Sequence, residues 1–378
     1  MSIERNLKKK IENDFGKRKI ILVYGARQVG KTTLMKEILV SFSGEKVLYN
    51  CDLDAMRELL GKQNLEHLRS LVEKYELIII DEAQRVPNIG LTLKILIDAF
   101  PEKQFIVTGS SSFELASAIS EPLTGRCFTY TLYPLSLSEL GMAKNPIEIR
   151  ETLEERLIFG SYPDVVTTAD RLDKQRIIEG LAEKYLFRDI LAFGAVKNSD
   201  MLKKLLRAVA LQVGQEVSYT ELSKILEIDK GTVKRYLDIC QKAFILFSLP
   251  PFTSNKRNAI SSMNKYYFFD VGIRNALIRN FNSLEVRNDV GALWENFMLV
   301  ERLKRNASKD FFPESFFWRS YQKQEIDLIE EANGQRSGFE FKYTKSDISK
   351  ATQNAFSTDI NGNNLTVVNR ENFFEFVM

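Results

Sequence analysis

The chain has 378 residues, 44% hydrophobic and 27% charged, which suits two or three globular domains and argues against disorder. Its 53 basic and 50 acidic residues leave a net charge of +3, so charge alone implies no acidic partner, and a single histidine, His67, argues against Ser-His-Asp hydrolases and excludes His-rich metal sites. Three scattered cysteines (Cys51, Cys127, Cys240) without a CxxC pair disfavour a zinc site or a disulfide framework; no signal-peptide pattern opens the sequence and no apolar run reaches the length of a membrane span, so a reducing cytoplasm is expected.

Up to about Leu140, short apolar runs alternate with helical stretches: KIILVYG (19–25), KVLYNC (46–51), ELIIIDE (76–82), QFIVTGS (104–110) and RCFTYTLYPLSL (126–137). Near-continuous apolar strands separated by helices predict an α/β fold with a parallel sheet covered on both faces. Between the first strand and the first long helix stands GARQVGKTT, in which Gly25, Gly30, Lys31 and Thr32 match G-x-x-x-x-G-K-[ST]. Glycines let the backbone wrap a phosphate with its N–H groups turned inward, and the helix that follows presents its positive dipole end. The residues expected to line an ATP phosphate are Gly25, Ala26, Arg27, Gln28, Val29, Gly30, Lys31, Thr32 and Thr33. Lys31 would neutralise the β- and γ-phosphates, and the Thr32 hydroxyl would hold Mg²⁺. Arg27 is expected to be exposed.

The strand at 77–80 ends in Asp81-Glu82. Asp81 would hold Mg²⁺ through water, and Glu82 would act as general base on the attacking water. Ser110 or Ser111, at the end of the next strand, is placed to contact the γ-phosphate, with a simple Gly-Ser turn as the alternative. Arg126, in LTGR, is a candidate to place charge at the transition state from its own or a neighbouring chain, with a solvated arginine as the alternative.

GARQVGKTTL, LIIIDEAQRVPN, FIVTGSSS, LTGR, YPLSLSEL and FGSYPDVV together resemble a group of bacterial and archaeal AAA-type ATPases, up to about residue 190 including YLFRDIL. The resemblance implies a STAND-like P-loop ATPase, with Gly160–Pro163 marking entry into a helical lid, and a C-terminal half of unknown function. On pattern the chain divides into an ATPase core (1–145), a helical lid or linker (146–214), a winged-helix-like domain (215–270) and a C-terminal α/β domain (271–378).

In VSYTELSKILEIDKGTVKRYLDICQKAF the spacing predicts helices over 219–227 and 231–244, with Leu222, Ile225, Leu226, Val233 and Leu237 forming an apolar stripe and Thr232 as cap. Lys230, Lys234 and Arg235 open the second helix, where a recognition helix meets a major groove, and Lys256 and Arg257 would sit in a wing; double-stranded DNA is therefore a candidate partner. Packing or dimerisation is the competing use. From 289 the order helix, three strands, helix, strand resembles the PD-(D/E)xK restriction-endonuclease-like fold. Glu295 on the helix, Asp327 on one strand and Glu340 on the next would bind a divalent ion, with Lys342 on the same strand face activating water, while Phe339, Phe341 and Tyr343 face away. Ile326, where that family has proline, departs from the pattern. Trp294, Trp318 and the Tyr266–Phe269 run read as core, and His67 as solvated.

Overall fold

A computed structural model describes residues 3–109, 123–143, 145–185, 199–253, 263–320, 322, 324–344 and 347–378. The chain divides into two compact units, one formed mainly by Met1–Tyr133 and the other mainly by Pro134–Met378.

The first unit is built on five parallel strands: β1 (Ile20–Tyr24), β2 (Lys46–Asn50), β3 (Leu77–Asp81), β4 (Gln104–Gly109) and β5 (Cys127–Thr131), ordered β2-β3-β4-β1-β5. The central three are buried along their whole length, as aliphatic strands covered on both faces must be. The outer two are partly exposed and carry Lys46 and Thr129, residues an edge tolerates. Strand β5 is shorter than the 126–137 run suggested. It stops before Pro134, which has no N–H for a ladder, and Leu137–Ala143 is helical.

In the second unit, helices Pro146–Phe159 and Pro163–Thr167 meet at the Gly160 turn. Gly160 has φ +78°, and a Cβ there would collide with the Asp270 carboxylate. Asp270 caps helix Val271–Ile278 by accepting from Gly272 N and Ile273 N, and its other oxygen accepts from Ser161 N at 2.7 Å. The glycine of the FGSYP motif is thus required by close packing against a buried carboxylate.

Helix Ser199–Leu211 leads to helices Tyr219–Leu226 and Lys230–Lys242 and to an antiparallel hairpin of β6 (Leu246–Leu249) and β7 (Lys265–Phe268). Glu216 bridges to Lys265, and Val217 N donates to Asn264 O, so a short extended segment before the helix pair adds to the hairpin. Two details differ from the sequence reading. Ile225 is 61% exposed and takes no part in the apolar stripe. The helix at 230 is capped by Asp229, which accepts from both the backbone N–H and the hydroxyl of Thr232; a helical residue three positions in cannot itself be the cap.

The chain then forms helix Val290–Ser308, β8 (Glu314–Arg319), β9 (Glu325–Ala332), β10 (Gln335–Phe341), helix Lys350–Asp359, β11 (Asn364–Val368) and a short helix, Phe373–Val377. The sheet runs β11-β10-β9-β8, parallel only between β10 and β11. Phe339 and Phe341 pack edge-on against Phe376, and Trp294, fully buried, meets Tyr343 and Phe373. Trp318 and the strand Lys265–Phe268 are also buried.

Candidate functional sites

The phosphate loop leaves β1 at Gly25, where a φ of +154° and the nearby Leu132 O, into which a Cβ would run, admit no side chain. It enters helix Lys31–Ser41 through Gly30 at φ +97°, and no acid stands in the first helical turn to repel an anion. Lys31 is buried, and its ammonium donates to Gly25 O at 2.9 Å and Ala26 O at 3.0 Å, which folds it back over the loop. Val29 is buried, whereas Gln28, Thr32 and Thr33 are exposed; Arg27 is half-buried rather than exposed.

Strand β3 brings Asp81 to this loop. Asp81 is 2% exposed, and its Oδ2 accepts from the Thr32 hydroxyl at 2.7 Å. Its Oδ1 accepts from Thr108, a fully buried residue on β4. The sheet order explains this: β4 lies between β1 and β3, so its carboxyl end stands between the loop and the acid. The Thr108 hydroxyl also accepts from Glu82 N at 3.1 Å. Glu82 sits in a left-handed turn (φ +55°), half-buried, with a carboxylate that accepts from Gln84 Nε2 at 2.6 Å. Thr32 and Asp81 supply adjacent hard oxygen donors, the ligand type Mg²⁺ takes.

Two residues escaped the sequence reading. Thr108 was legible as a lone polar residue in the apolar run FIVTG. Arg5 was not: its guanidinium donates to Val29 O at 2.7 Å and to Tyr133 O at 2.5 Å, bracing the loop from a remote helix start, and no local pattern announces that. Ser110 and Ser111 lie outside the described residues. Arg126 is not brought to the loop. It precedes β5 at the amino end of the sheet, where its backbone accepts from Ile20 N and its side chain pairs with Asp98 at 2.8 Å. One strand length, about 17 Å, separates that edge from the phosphate loop, so a role for Arg126 at its own chain's loop is corrected. His67 is half-buried rather than solvated, its Nε2 meeting Leu59 O at 3.1 Å.

In the second unit Glu295, Asp327, Glu340 and Lys342 act on one another electrostatically, and a further cation, Lys265, stands beside Glu295. Lys265, 1% exposed at the start of β7, lies 3.3 Å from Glu295 and 2.5 Å from Glu325. Tyr267, two residues on and therefore on the same strand face, donates its hydroxyl to Glu295. Asp327 accepts from Phe341 N at 2.8 Å, and Lys342, half-exposed, pairs with Glu340 at 2.8 Å. Burial and then the charge of Asp327 push the Glu295 carboxyl up to about 8 and that of Glu340 up to about 7. Burial likewise raises Asp327, while Lys265 is raised by Glu295, Asp327 and Glu325 against the opposing effect of its own burial.

The expected divalent-metal centre is therefore corrected. Among the described residues no three acids stand close enough to share one ion. The physical reason is Lys265, whose ammonium supplies the neutralising charge that a metal would otherwise bring. Lys265 and Glu325 were not singled out from the sequence, and Tyr267 was read only as core, although period two placed Tyr267 beside Lys265 and Glu325 beside Asp327.

Fold and loop together are those of a P-loop nucleotide-binding domain. Family comparison agrees, since the profile described as AAA domain matches residues 17–141. Residues 150–284 and 290–375 match two profiles described as domains of unknown function (DUF8612 and DUF4143). An uncharacterized protein of Mycobacterium tuberculosis is 29% identical over 342 residues, covering 89% of this chain and 73% of its own length. One from Haemophilus influenzae is 26% identical over 312 residues, covering 77% and 76%. Among solved structures, a Walker-type ATPase of Pyrococcus abyssi superposes with a TM-score of 0.52 at 15% identity, covering 73% of this chain and 96% of its own; it shares the fold. No helix among the described residues is long and apolar enough to cross a membrane.

Proposed function

We propose that the chain is a Mg-dependent, cytoplasmic ATPase whose nucleotide state controls a nucleic-acid-associated module in its second half. The observation that carries this is the Thr32–Asp81–Thr108 constellation on the loop that also holds the buried Lys31 ammonium: a metal-type donor pair and a cation at one helix start. Lys31 binds and orients the β- and γ-phosphates. Thr32 and Asp81 hold Mg²⁺, which when bound neutralises phosphate charge. Thr108 fixes both the Asp81 carboxylate and the Glu82 backbone, so it is a positioning residue, and Glu82 takes the proton of the attacking water. Glu82→Gln keeps size and leaves Asp81 untouched. It is expected to bind ATP normally and to lower turnover by about 100-fold or more, the scale of general-base catalysis. Turnover equal to that of the parent chain would move the base elsewhere.

The helix Ser199–Leu211, the segment at Glu216, the helix pair and the hairpin follow the order of a winged helix, and the exposed Lys230, Lys234 and Arg235 support a phosphate-contacting role on duplex DNA; Lys256 and Arg257 lie outside the described residues. Replacing Lys234 and Arg235 by alanine should weaken duplex binding and reduce the slope of log K against log salt by about one charge each. A salt titration of a labelled duplex measures this; an unchanged slope favours packing as the use of these helices.

A second reading is a nucleotide-gated interaction switch on a catalytically inert nuclease-like scaffold. It is favoured by Lys265, which fills the acidic cluster with an internal cation. ATP turnover measured with and without duplex DNA, beside a cleavage gel, separates the two: stimulation by DNA supports the first, and turnover indifferent to DNA supports the second. A homo-oligomer or a protein partner fits either.

A further inference from the structure

A cleft of about 560 Å³ opens in the second unit between helix Ser199–Leu211 and the end of helix Val271–Ile278. Its size is that of a small-molecule site. Helix Ser199–Leu211 turns Leu202, Leu205, Leu206 and Val209 into the core and leaves Lys203, Lys204 and Arg207 on its outer face, where they line the cleft. These cations stand three and four residues apart and repel one another along the helix, with Asp200 in the first turn the acid at matching spacing. Lys204 and Arg207 make no hydrogen bond or ion pair among the described residues. The two acids of the lining are engaged: Glu179 accepts from Gln175 at 3.0 Å, and Glu183 faces Arg279 at 3.8 Å.

Backbone geometry adds an independent sign. One wall is the π-helical turn Leu181–Tyr185, a form concentrated at functional sites. Arg279 also lines the cleft as the left-handed C-cap of helix Val271–Ile278, its N–H donating to Ala276 O and its side chain 80% exposed. Ala182, Ala276 and Leu277 give the cleft a small apolar floor. The geometry points to a second anion site, separate from the phosphate loop, that takes a nucleotide phosphate with its sugar or base on the apolar floor. The source is either a free nucleoside triphosphate or the end of a nucleic-acid strand.

The test uses the full chain carrying Lys31→Ala, so that the phosphate loop contributes little binding and its own role is measured separately on the parent chain. A fluorescent nucleoside triphosphate and a labelled single-stranded oligonucleotide are titrated in parallel arms. Adding Lys204→Ala with Arg207→Ala should weaken whichever probe binds by at least about tenfold and, for the single strand, lower the salt slope by about 0.7 for each charge removed. The charge reversals Lys204→Glu with Arg207→Glu should abolish binding, with an unchanged melting curve reporting an intact fold. Loss in the triphosphate arm identifies a free nucleotide, and loss in the oligonucleotide arm a strand. Binding of neither probe, or binding that the alanine pair leaves unchanged, overturns the site.

Discussion

Lys31→Ala is expected to weaken ATP binding about 100-fold, which corresponds to ~3 kcal/mol. The ammonium is the buried positive charge at the loop, and hydrogen bonds between a charged donor and phosphate oxygens are the strong kind. Its two present acceptors, Gly25 O and Ala26 O, are carbonyls of the loop itself, so the charge is already held where the phosphates must arrive. Removing it also leaves those carbonyls without a donor, a cost of about 1–2 kcal/mol that a modest drop in melting temperature should report. Isothermal titration of both chains with ATP measures the affinity. Equal affinities would remove the phosphate-loop assignment, whereas a chain that no longer folds would be recognised by its melting curve and replaced by Lys31→Met, which keeps the stem.

Lys265→Met is expected to destabilise the second unit by about 3–5 kcal/mol at pH 8, because it leaves Glu295 and Glu325 without their shared cation and Asp327 with Lys342 alone. The loss should shrink toward pH 5. Glu295 and Glu340, raised to about 8 and about 7, can take up protons there and become neutral, and a cluster with two fewer charges depends less on the ammonium. The same carboxyls set the pH dependence of the parent chain. A carboxyl whose folded value lies above its ordinary 4.5 binds its proton more tightly in the folded state. Its contribution is therefore present below pH 4.5 and is lost as pH rises through about 7 to 8. Glu295→Gln should flatten that decline. Both tryptophans, Trp294 and Trp318, lie in this unit, so urea unfolding followed by their fluorescence reads it selectively. A Lys265→Met midpoint equal to that of the parent at pH 8 would show that the cluster does not depend on this lysine.

The phosphate loop, the parallel strands and Asp81-Glu82 were legible in the sequence because each rests on local chemistry. An aliphatic run buried on both faces, a glycine at a left-handed turn and a lysine at a fixed distance from it are properties of adjacent residues. The same holds for the α-β-β-β-α-β order after Asn288 and for the facing of Phe339, Phe341 and Tyr343, which follow from strand period alone. What stayed hidden was decided by which elements become neighbours. Thr108 reaches Asp81 only because β4 inserts between β1 and β3, and Arg5 reaches the loop only because a helix start 24 residues upstream packs there. Arg126 was drawn toward the site by its motif, yet a parallel sheet puts every strand start at the edge away from the phosphates. The acidic cluster shows the difference most fully: sequence supplied Glu295, Asp327, Glu340 and Lys342, and only the tertiary structure put Lys265 among them. A buried charge must be compensated by whatever stands within a few ångströms, and that neighbour came from a hairpin 30 residues before Glu295, beyond the reach of any local spacing.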